Sequence, residues 1–149
     1  MIKFILTKEL GRLAKWLRIL GFDTIYFKEE NKGLLLLTSL REERIILTRN
    51  QRLAKIRGPR IINIKSDNLK GQLREVLELF KIDEEKMFSR CVICNLELDH
   101  IEKEKVKGKV PEYVFQTQNN FYTCKSCGRT YWQGTHWGNV TKILEEIGI

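Results

Sequence analysis

A chain of 149 residues can form one domain, or a domain of modest size with a small appended module. Its 42% hydrophobic and 31% charged residues are typical of a globular protein, and no apolar run approaches the roughly 20 residues of a membrane span. The net charge is +8, and the surplus is concentrated in residues 1–89, which carry 19 basic against 12 acidic residues.

A basic surplus confined to one part of a chain favours a polyanionic partner, and nucleic acid is the one we expect. A solvated basic surface without a specific partner is the alternative. The first eight residues are interrupted by charge too early for a signal peptide. We therefore expect a cytoplasmic protein that does not associate with membranes.

Strand-like and helix-like patterns alternate over residues 1–80. Short apolar runs are typical of buried strands, and leucines that recur every three or four residues are typical of amphipathic helices. The predicted order is strand 2–6, helix 10–20 ended by Gly21, strand 23–27, helix 33–43, strand 44–48, a short helix to Lys55 capped by Asn50, strand 60–64, and a helix to about Phe80 capped by Ser66 or Asp67. This alternation predicts an α/β fold whose parallel sheet is flanked by helices.

The sequence changes character at a charged linker, Asp83–Lys86. Beyond the linker it contains four cysteines, more aromatic residues, short strand-like segments and a final helix from about residue 136. We therefore expect two units, an α/β domain over residues 1–82 and a smaller module over residues 83–149 that ends in a helix.

All four cysteines lie in this second unit as two C-x-x-C pairs, Cys91 with Cys94 and Cys124 with Cys127, separated by 29 residues. Each pair can present two thiolates to one ion, and two pairs complete a tetrahedral zinc site. Two disulfides or a redox pair are the alternatives, and a cytoplasmic setting argues against both. The pattern predicts one structural zinc ion in a zinc ribbon.

Aromatic residues cluster just after the second cysteine pair, in the segment 131–137, which reads YWQGTHW. Such rings can stack on nucleic-acid bases. They can also pack the small module onto the α/β domain. We favour packing, because large rings are the usual filling of a small core.

Several short motifs occur in one order along nearly the whole chain. They are residues 10–18 (LGRLAKWLR) with 20–24 (LGFDT), 46–49 (ILTR), 65–67 (KSD) before Gln72–Leu73, both C-x-x-C pairs, Val110–Pro111, and 131–137. In these motifs the chain resembles the Mut7-C family, in which a PIN-type ribonuclease-like domain precedes a zinc ribbon. The resemblance implies a PIN-like α/β sandwich, a structural zinc ion, and RNA cleavage or RNA binding.

Three positions depart from that family pattern. PIN-type nucleases resembling this chain hold Mg²⁺ or Mn²⁺ with acidic residues at the carboxyl edge of the sheet, where this chain has Thr7, Leu34 and Asn50. Hard divalent cations need anionic oxygen ligands. We therefore expect no Mg²⁺ or Mn²⁺ and poor or lost metal-dependent cleavage. Glu9 is the nearest carboxylate after the first strand, but the helical pattern directs it elsewhere.

Basic residues next to this edge are candidates for RNA contact, because arginine and lysine bind backbone phosphates. The candidates are Arg12, Lys15, Arg18, Arg41, Arg44, Arg49, Arg52, Lys55, Arg57 and Arg60. An ordinary solvated helix face is the alternative for any one of them.

Three functions follow from the sequence. The first is a non-catalytic RNA-binding protein on a PIN-like scaffold, on its own or within a ribonucleoprotein. The second is a ribonuclease with an altered metal site. The third is a protein-interaction module that docks through its zinc ribbon.

Overall fold

The computed structural model describes residues 1–133 and 135–149, without the side chains of residues 135–138. The first part of the chain alternates strands and helices. They are β1 (Lys3–Thr7), α1 (Gly11–Ile19), β2 (Asp23–Phe27), α2 (Lys32–Glu42), β3 (Ile45–Thr48), α3 (Gln51–Ala54), β4 (Ile61–Asn63) and α4 (Leu69–Leu79). The strands form one parallel sheet in the order β2-β1-β3-β4.

The two faces of the sheet bury two separate cores, because neighbouring side chains of a strand point to opposite faces. Phe4 and Leu6 of β1 pack with α1 and α4 in the larger core. Ile5, between them, packs on the other face with Leu35 of α2 and Leu53 of α3. Helices on both faces of a parallel sheet confirm the predicted α/β fold.

Particular residues end or cap the helices of the α/β unit. Gly21 follows α1 with φ +94°, the left-handed conformation expected at that position. Asn50 caps α3 as predicted, since its side chain accepts from the backbone N–H groups of Arg52 and Leu53. The predicted cap of α4 was wrong by one or two positions, because Asn68, not Ser66 or Asp67, caps that helix by accepting from Gly71 N–H.

The second part of the chain contains a small antiparallel sheet, β5-β6-β7, with a short helix between its first two strands and a long helix at the end. These elements are β5 (Asp99–Ile101), α5 (Glu112–Thr117), β6 (Phe121–Thr123), β7 (Thr130–Trp132) and α6 (Thr135–Glu146). Val106, Val114 and Phe121 form the apolar core of this module.

Helix α6 packs on the α/β unit. Val140 on this helix and Ile147 just after it are buried in the core that β1, α1 and α4 share. Arg74 on α4 also donates to the carbonyl of Ile147, at 3.2 Å. The two parts of the chain therefore share a hydrophobic core, and the boundary after residue 82 stays a prediction.

Within residues 1–133 and 135–149, every helix is too short or too polar to span a lipid bilayer.

Candidate functional site

A crevice of about 400 Å³ opens at the carboxyl edge of the parallel sheet, where β1, β2 and β3 end. Ligand sites of open α/β sheets lie at this edge. The crevice is lined by Thr7, Lys8, Glu9, Phe27, Glu29, Glu30, Lys32, Leu35, Thr48, Arg49, Asn50 and Leu53.

Glu9 lies at the centre of a hydrogen-bond network on the crevice floor. Its Oε2 accepts from Thr7 Oγ1 at 2.9 Å and from Arg49 N–H at 3.0 Å, and Thr48 Oγ1 is 3.4 Å away. Partial burial opposes ionisation, but these donors prevail and lower the pKa of the Glu9 carboxyl. The sequence-based expectation that Glu9 points elsewhere was therefore wrong. A short 3₁₀ turn over residues 8–10 separates β1 from α1, and the Glu9 side chain on this turn points into the crevice.

Asn50 uses its only side-chain oxygen inside the protein. Oδ1 accepts from Arg52 N–H at 3.0 Å and from Leu53 N–H at 3.1 Å, which caps α3. Leu34 does not line the crevice, whereas Lys32 and Leu35 of the same helix do. The assignment of Leu34 to the acidic position of the second helix therefore stays a prediction.

The crevice still contains acidic residues, contrary to the expected loss of carboxylates from this edge. Glu9, Glu29 and Glu30 line it together with Lys8, Lys32 and Arg49, so the two charge signs balance. Lys8 forms an ion pair with Glu30. The glutamates after β2 were missed because that strand was not considered as an edge of the crevice, although it ends there too.

The carboxylates of the crevice are not grouped around one point. Among the described residues, the four cysteines are the only group of three or more Cys, His, Asp or Glu whose ligand atoms lie together. Mg²⁺ needs several oxygen ligands in near-octahedral geometry. The crevice residues in this arrangement do not fit such an ion.

The ten basic candidates do not form one surface. Arg49 lies at the carboxyl edge. Arg52 lies on α3, and Lys55 follows it. Arg41 near the end of α2, and Arg57 and Arg60 just before β4, lie toward the opposite edge, since parallel strands all start there. Arg12 and Lys15 line a second cavity beside α1.

Two of the ten candidates make several short guanidinium hydrogen bonds within the fold. Arg44 is 8% exposed, and its guanidinium bonds to Asp23 Oδ1 at 2.9 Å and to Glu42 Oε1 at 2.8 Å. Arg18 donates to the carbonyls of Thr24 and Val92, both at 2.9 Å. Neither guanidinium is available as a simple phosphate contact, so we leave both out of the proposed contacts to RNA phosphate.

The four cysteine sulfur atoms converge, all within 4.8 Å of one another. Cys91 Sγ and Cys127 Sγ are 3.7 Å apart. Thiolates about 2.3 Å from a tetrahedral Zn²⁺ lie about 3.8 Å from each other. The backbone N–H and side chain of Arg129 donate to Cys127 and lower its pKa to about 6. A hydrogen bond with Ser126 lowers the pKa of Cys94, but burial and the neighbouring sulfurs of Cys127 and Cys124 prevail and raise it to about 11, so the fit to a metal rests on the distances between the sulfur atoms. The cluster therefore fits a tetrahedral metal ion.

Two of the aromatic residues after the second cysteine pair contribute to the module itself. Tyr131 Oη lies 3.0 Å from Cys91 Sγ, and Trp132 packs against Phe121 in the small core. Both contacts lie within the module, so the packing of these rings onto the α/β domain stays a prediction. The side chains of His136 and Trp137 lie outside the described residues.

The comparisons with known proteins agree with the resemblance in the sequence. A family model described as the Mut7-C RNAse domain matches residues 2–144. No curated protein and no solved structure gives a significant match.

Proposed function

Since the chain belongs to the Mut7-C RNase domain family, we propose that it binds RNA on this scaffold and has lost metal-dependent cleavage. The family match supports an RNA-related role, and the basic surplus of residues 1–89 supports binding to a polyanion. The chemistry of the crevice supports binding without cleavage.

The observation that carries the proposal is the hydrogen bonding of Asn50. A carboxylate at this position has two oxygens, so one can cap α3 while the other faces a cation. The asparagine has one oxygen, and it accepts two N–H groups of α3. The remaining Asn50 nitrogen is a donor that repels a metal ion.

The other groups on the crevice floor are also poor ligands for a divalent cation. Thr7 offers a neutral hydroxyl, whose hydrogen bond goes to Glu9. The Glu9 oxygen that faces β3 accepts from Arg49 N–H and neighbours two hydroxyl groups. Lys8, Lys32 and Arg49 offset the charge of the three glutamates in the same crevice, so it offers no net negative charge to a free divalent cation.

Within this proposal the cysteine cluster holds one zinc ion with a structural role. A Cys₄ site is closed, so the ion would stabilise the fold of the module and leave no open position for chemistry. Cys91, Cys94, Cys124 and Cys127 are the ligands we propose.

A ribonuclease with an altered metal site is the second candidate, and Glu9 is the observation in its favour. Its carboxylate lies at the point where β1 and β3 end, close to where the family places an acidic residue after the first strand. Glu29 and Glu30 lie on the same crevice. A carboxylate from the 3₁₀ turn would then replace the one that Thr7 lacks.

Restoring the carboxylate at residue 50 separates the two candidates. Asn50→Asp keeps the helix cap, since aspartate and asparagine are equally good caps. Asn68→Asp is the matched control, because Asn68 caps α4 in the same way outside the crevice. Binding of Mn²⁺ to zinc-loaded protein is measured by calorimetry, and cleavage of labelled RNA is measured in the same buffers.

If cleavage is lost, wild-type protein binds RNA in EDTA and does not cleave it with Mn²⁺. Asn50→Asp then binds Mn²⁺ at least about tenfold more tightly than wild type, and Asn68→Asp does not. Mn²⁺-stimulated cleavage by wild type that Glu9→Gln abolishes would contradict the proposal and establish the second candidate.

A further inference from the structure

We infer that the cavity between α1 and the first cysteine pair is a groove that holds the phosphate backbone of single-stranded RNA beside the crevice. This cavity, which we call the basic groove, has a volume of about 440 Å³. That is within the range of about 300–1,000 Å³ for ligand sites. It is lined by Gly11, Arg12, Ala14, Lys15, Arg18, Tyr26, Lys28, Val92 and Ile93.

The basic groove differs from the crevice in its charge. Four cationic residues line it, and no acidic residue does so among those that the structure describes. Arg12 and Lys15 are exposed and form no ion pair among the described residues. A groove lined by cations alone concentrates a polyanion, whereas the balanced crevice does not.

The opposite wall of the groove comes from the first cysteine pair and is fixed to the α/β unit. Arg18 on α1 donates to Val92 O at 2.9 Å and to Ile93 O at 3.1 Å. The carbonyls take up part of its hydrogen-bonding capacity, while its positive charge stays in the groove. Arg18 is therefore a positioning residue that also adds to the potential.

Apolar side chains lie between the cations. Ile93 at the tip of the cysteine pair is 50% exposed. The Tyr26 ring forms the floor next to Gly11, where an added Cβ would lie 3.0 Å from the Tyr26 hydroxyl oxygen. Lys28 Nζ lies 5.5 Å from the centre of the same ring. Cations interleaved with an exposed apolar side chain and a partly buried aromatic ring suit a single nucleic-acid strand better than an acidic protein surface.

The position of the groove links it to the crevice. Both cavities border the same two segments, residues 8–12 and 26–30, with Lys8 and Glu9 on the crevice and Arg12 on the groove. A strand held in the groove therefore passes the carboxyl edge of β1. This inference rests on the proposed RNA binding and gives it a location.

The test compares two charge-matched triple variants of the full zinc-loaded chain. The first removes the groove cations, Arg12→Ala/Lys15→Ala/Lys28→Ala. The control removes three exposed cations that line neither cavity and are not among the ten candidates, Lys105→Ala/Lys107→Ala/Lys109→Ala. Fluorescence anisotropy with labelled single-stranded RNA of mixed sequence gives the affinity at several salt concentrations, and circular dichroism verifies the fold.

We expect the affinity of the groove variant for RNA to fall about tenfold for each cation removed, because each substitution removes one charge-assisted contact to a phosphate. The slope of log K against log salt should fall in magnitude by about 0.7 per lost phosphate contact. The control should stay within about threefold of wild type. Ile93→Ser, which changes no charge, should weaken binding without changing the salt slope.

Four results would overturn the inference. Equal weakening of both triple variants means diffuse attraction to a basic surface. RNA binding by wild type that the groove variant retains leaves the proposed function intact and places RNA elsewhere. Competition by poly-glutamate at the affinity of RNA assigns the groove to acidic proteins. If wild type binds no RNA at all, the proposed function fails and the inference with it.

Discussion

Asn95 joins the first cysteine pair to the edge of the parallel sheet, and replacing it by alanine should destabilise the protein by about 3 kcal/mol. Its Nδ2 donates to Asp23 Oδ1 at 2.7 Å, and its Oδ1 accepts from Thr24 N–H at 2.9 Å. Asp23 also pairs with Arg44. The side chain of Asn95 therefore holds the cysteine module against β2.

Three losses contribute to that magnitude. A hydrogen bond to an ionised carboxylate contributes about 1.5–3 kcal/mol, and an unpaired buried N–H costs about 1–3 kcal/mol. Thr24 is fully buried, which makes the second loss relevant. Asn95 also has φ +67°, where alanine is disfavoured by about 1 kcal/mol. The Asp23 side chain, which is 18% exposed, keeps Arg44 as a partner and regains some water, which reduces the total to about 3 kcal/mol.

Urea unfolding of zinc-loaded protein, followed by circular dichroism, measures the loss. Asn95→Gly removes the same hydrogen bonds but tolerates positive φ, so its loss should be about 1 kcal/mol smaller. Asn119→Ala is the control, because exposed Asn119 makes one long contact, 3.4 Å, to Lys103. It should change stability by less than about 0.5 kcal/mol. A loss below about 1 kcal/mol for Asn95→Ala, with unchanged zinc content and denaturant slope, would refute the reasoning.

Three further predictions concern the metal, the pH and one turn. Elemental analysis should find one zinc per chain, and Cys94→Ser should lose zinc and the fold of the module; full metal in that variant would disprove the four-cysteine site. Partial burial raises the pKa of Asp23, but the hydrogen bonds from Arg44 and Asn95 have the larger effect, so the pKa of the folded protein lies below its usual value. Its stabilisation is therefore present above about pH 4 and is lost as pH falls through the folded-state pKa. The difference in the free energy of unfolding between wild type and Asp23→Asn should therefore shrink as the pH falls below about 4. A difference that stays constant between about pH 7 and about pH 3 would exclude this linkage. Gly21→Ala should cost more than about 2 kcal/mol in urea unfolding, because φ is +94° and the new Cβ would lie 2.5 Å from Lys86 O. Gly33→Ala, with only an ordinary contact, should cost nothing; equal effects would contradict the role of the turn.

The order of the elements could be predicted because it depends on local patterns. The leucine spacing of α1, the apolar run of β3 and the cap by Asn50 each need only a few neighbouring residues. The cap of α4 was placed too early because Ser66, Asp67 and Asn68 are all good caps. The structure uses Ser66 differently, since its side chain and its backbone N–H both bond to Glu75.

The candidate site was harder to predict, because it depends on where segments meet. The short 3₁₀ turn after β1 shifts the helical register, which is why Glu9 reaches the crevice against expectation. The basic residues of segment 41–60 are close in sequence, but a strand separates them, so they lie at both edges of the sheet. The roles of Arg18 and Arg44 depend on partners 74 and 21 residues away along the chain.

The packing of α6 was also outside the reach of sequence patterns. Its apolar stripe shows that the helix buries one face, but not which part of the chain covers it. The structure places Val140 and Ile147 in the core of the α/β unit. The cysteine spacing, by contrast, predicted the convergence of four sulfur atoms, because two C-x-x-C pairs restrict the geometry on their own.

The most direct test of the central claim is one assay that follows binding and integrity of the same labelled single-stranded RNA. Anisotropy gives the bound fraction and denaturing gels give the cleaved fraction, with wild-type protein in Mn²⁺ and, over short incubations that preserve the zinc, in EDTA. We predict equal, salt-sensitive binding in both buffers and intact RNA throughout. RNA that is cleaved in Mn²⁺, is protected by EDTA and is protected again by Glu9→Gln would contradict the account.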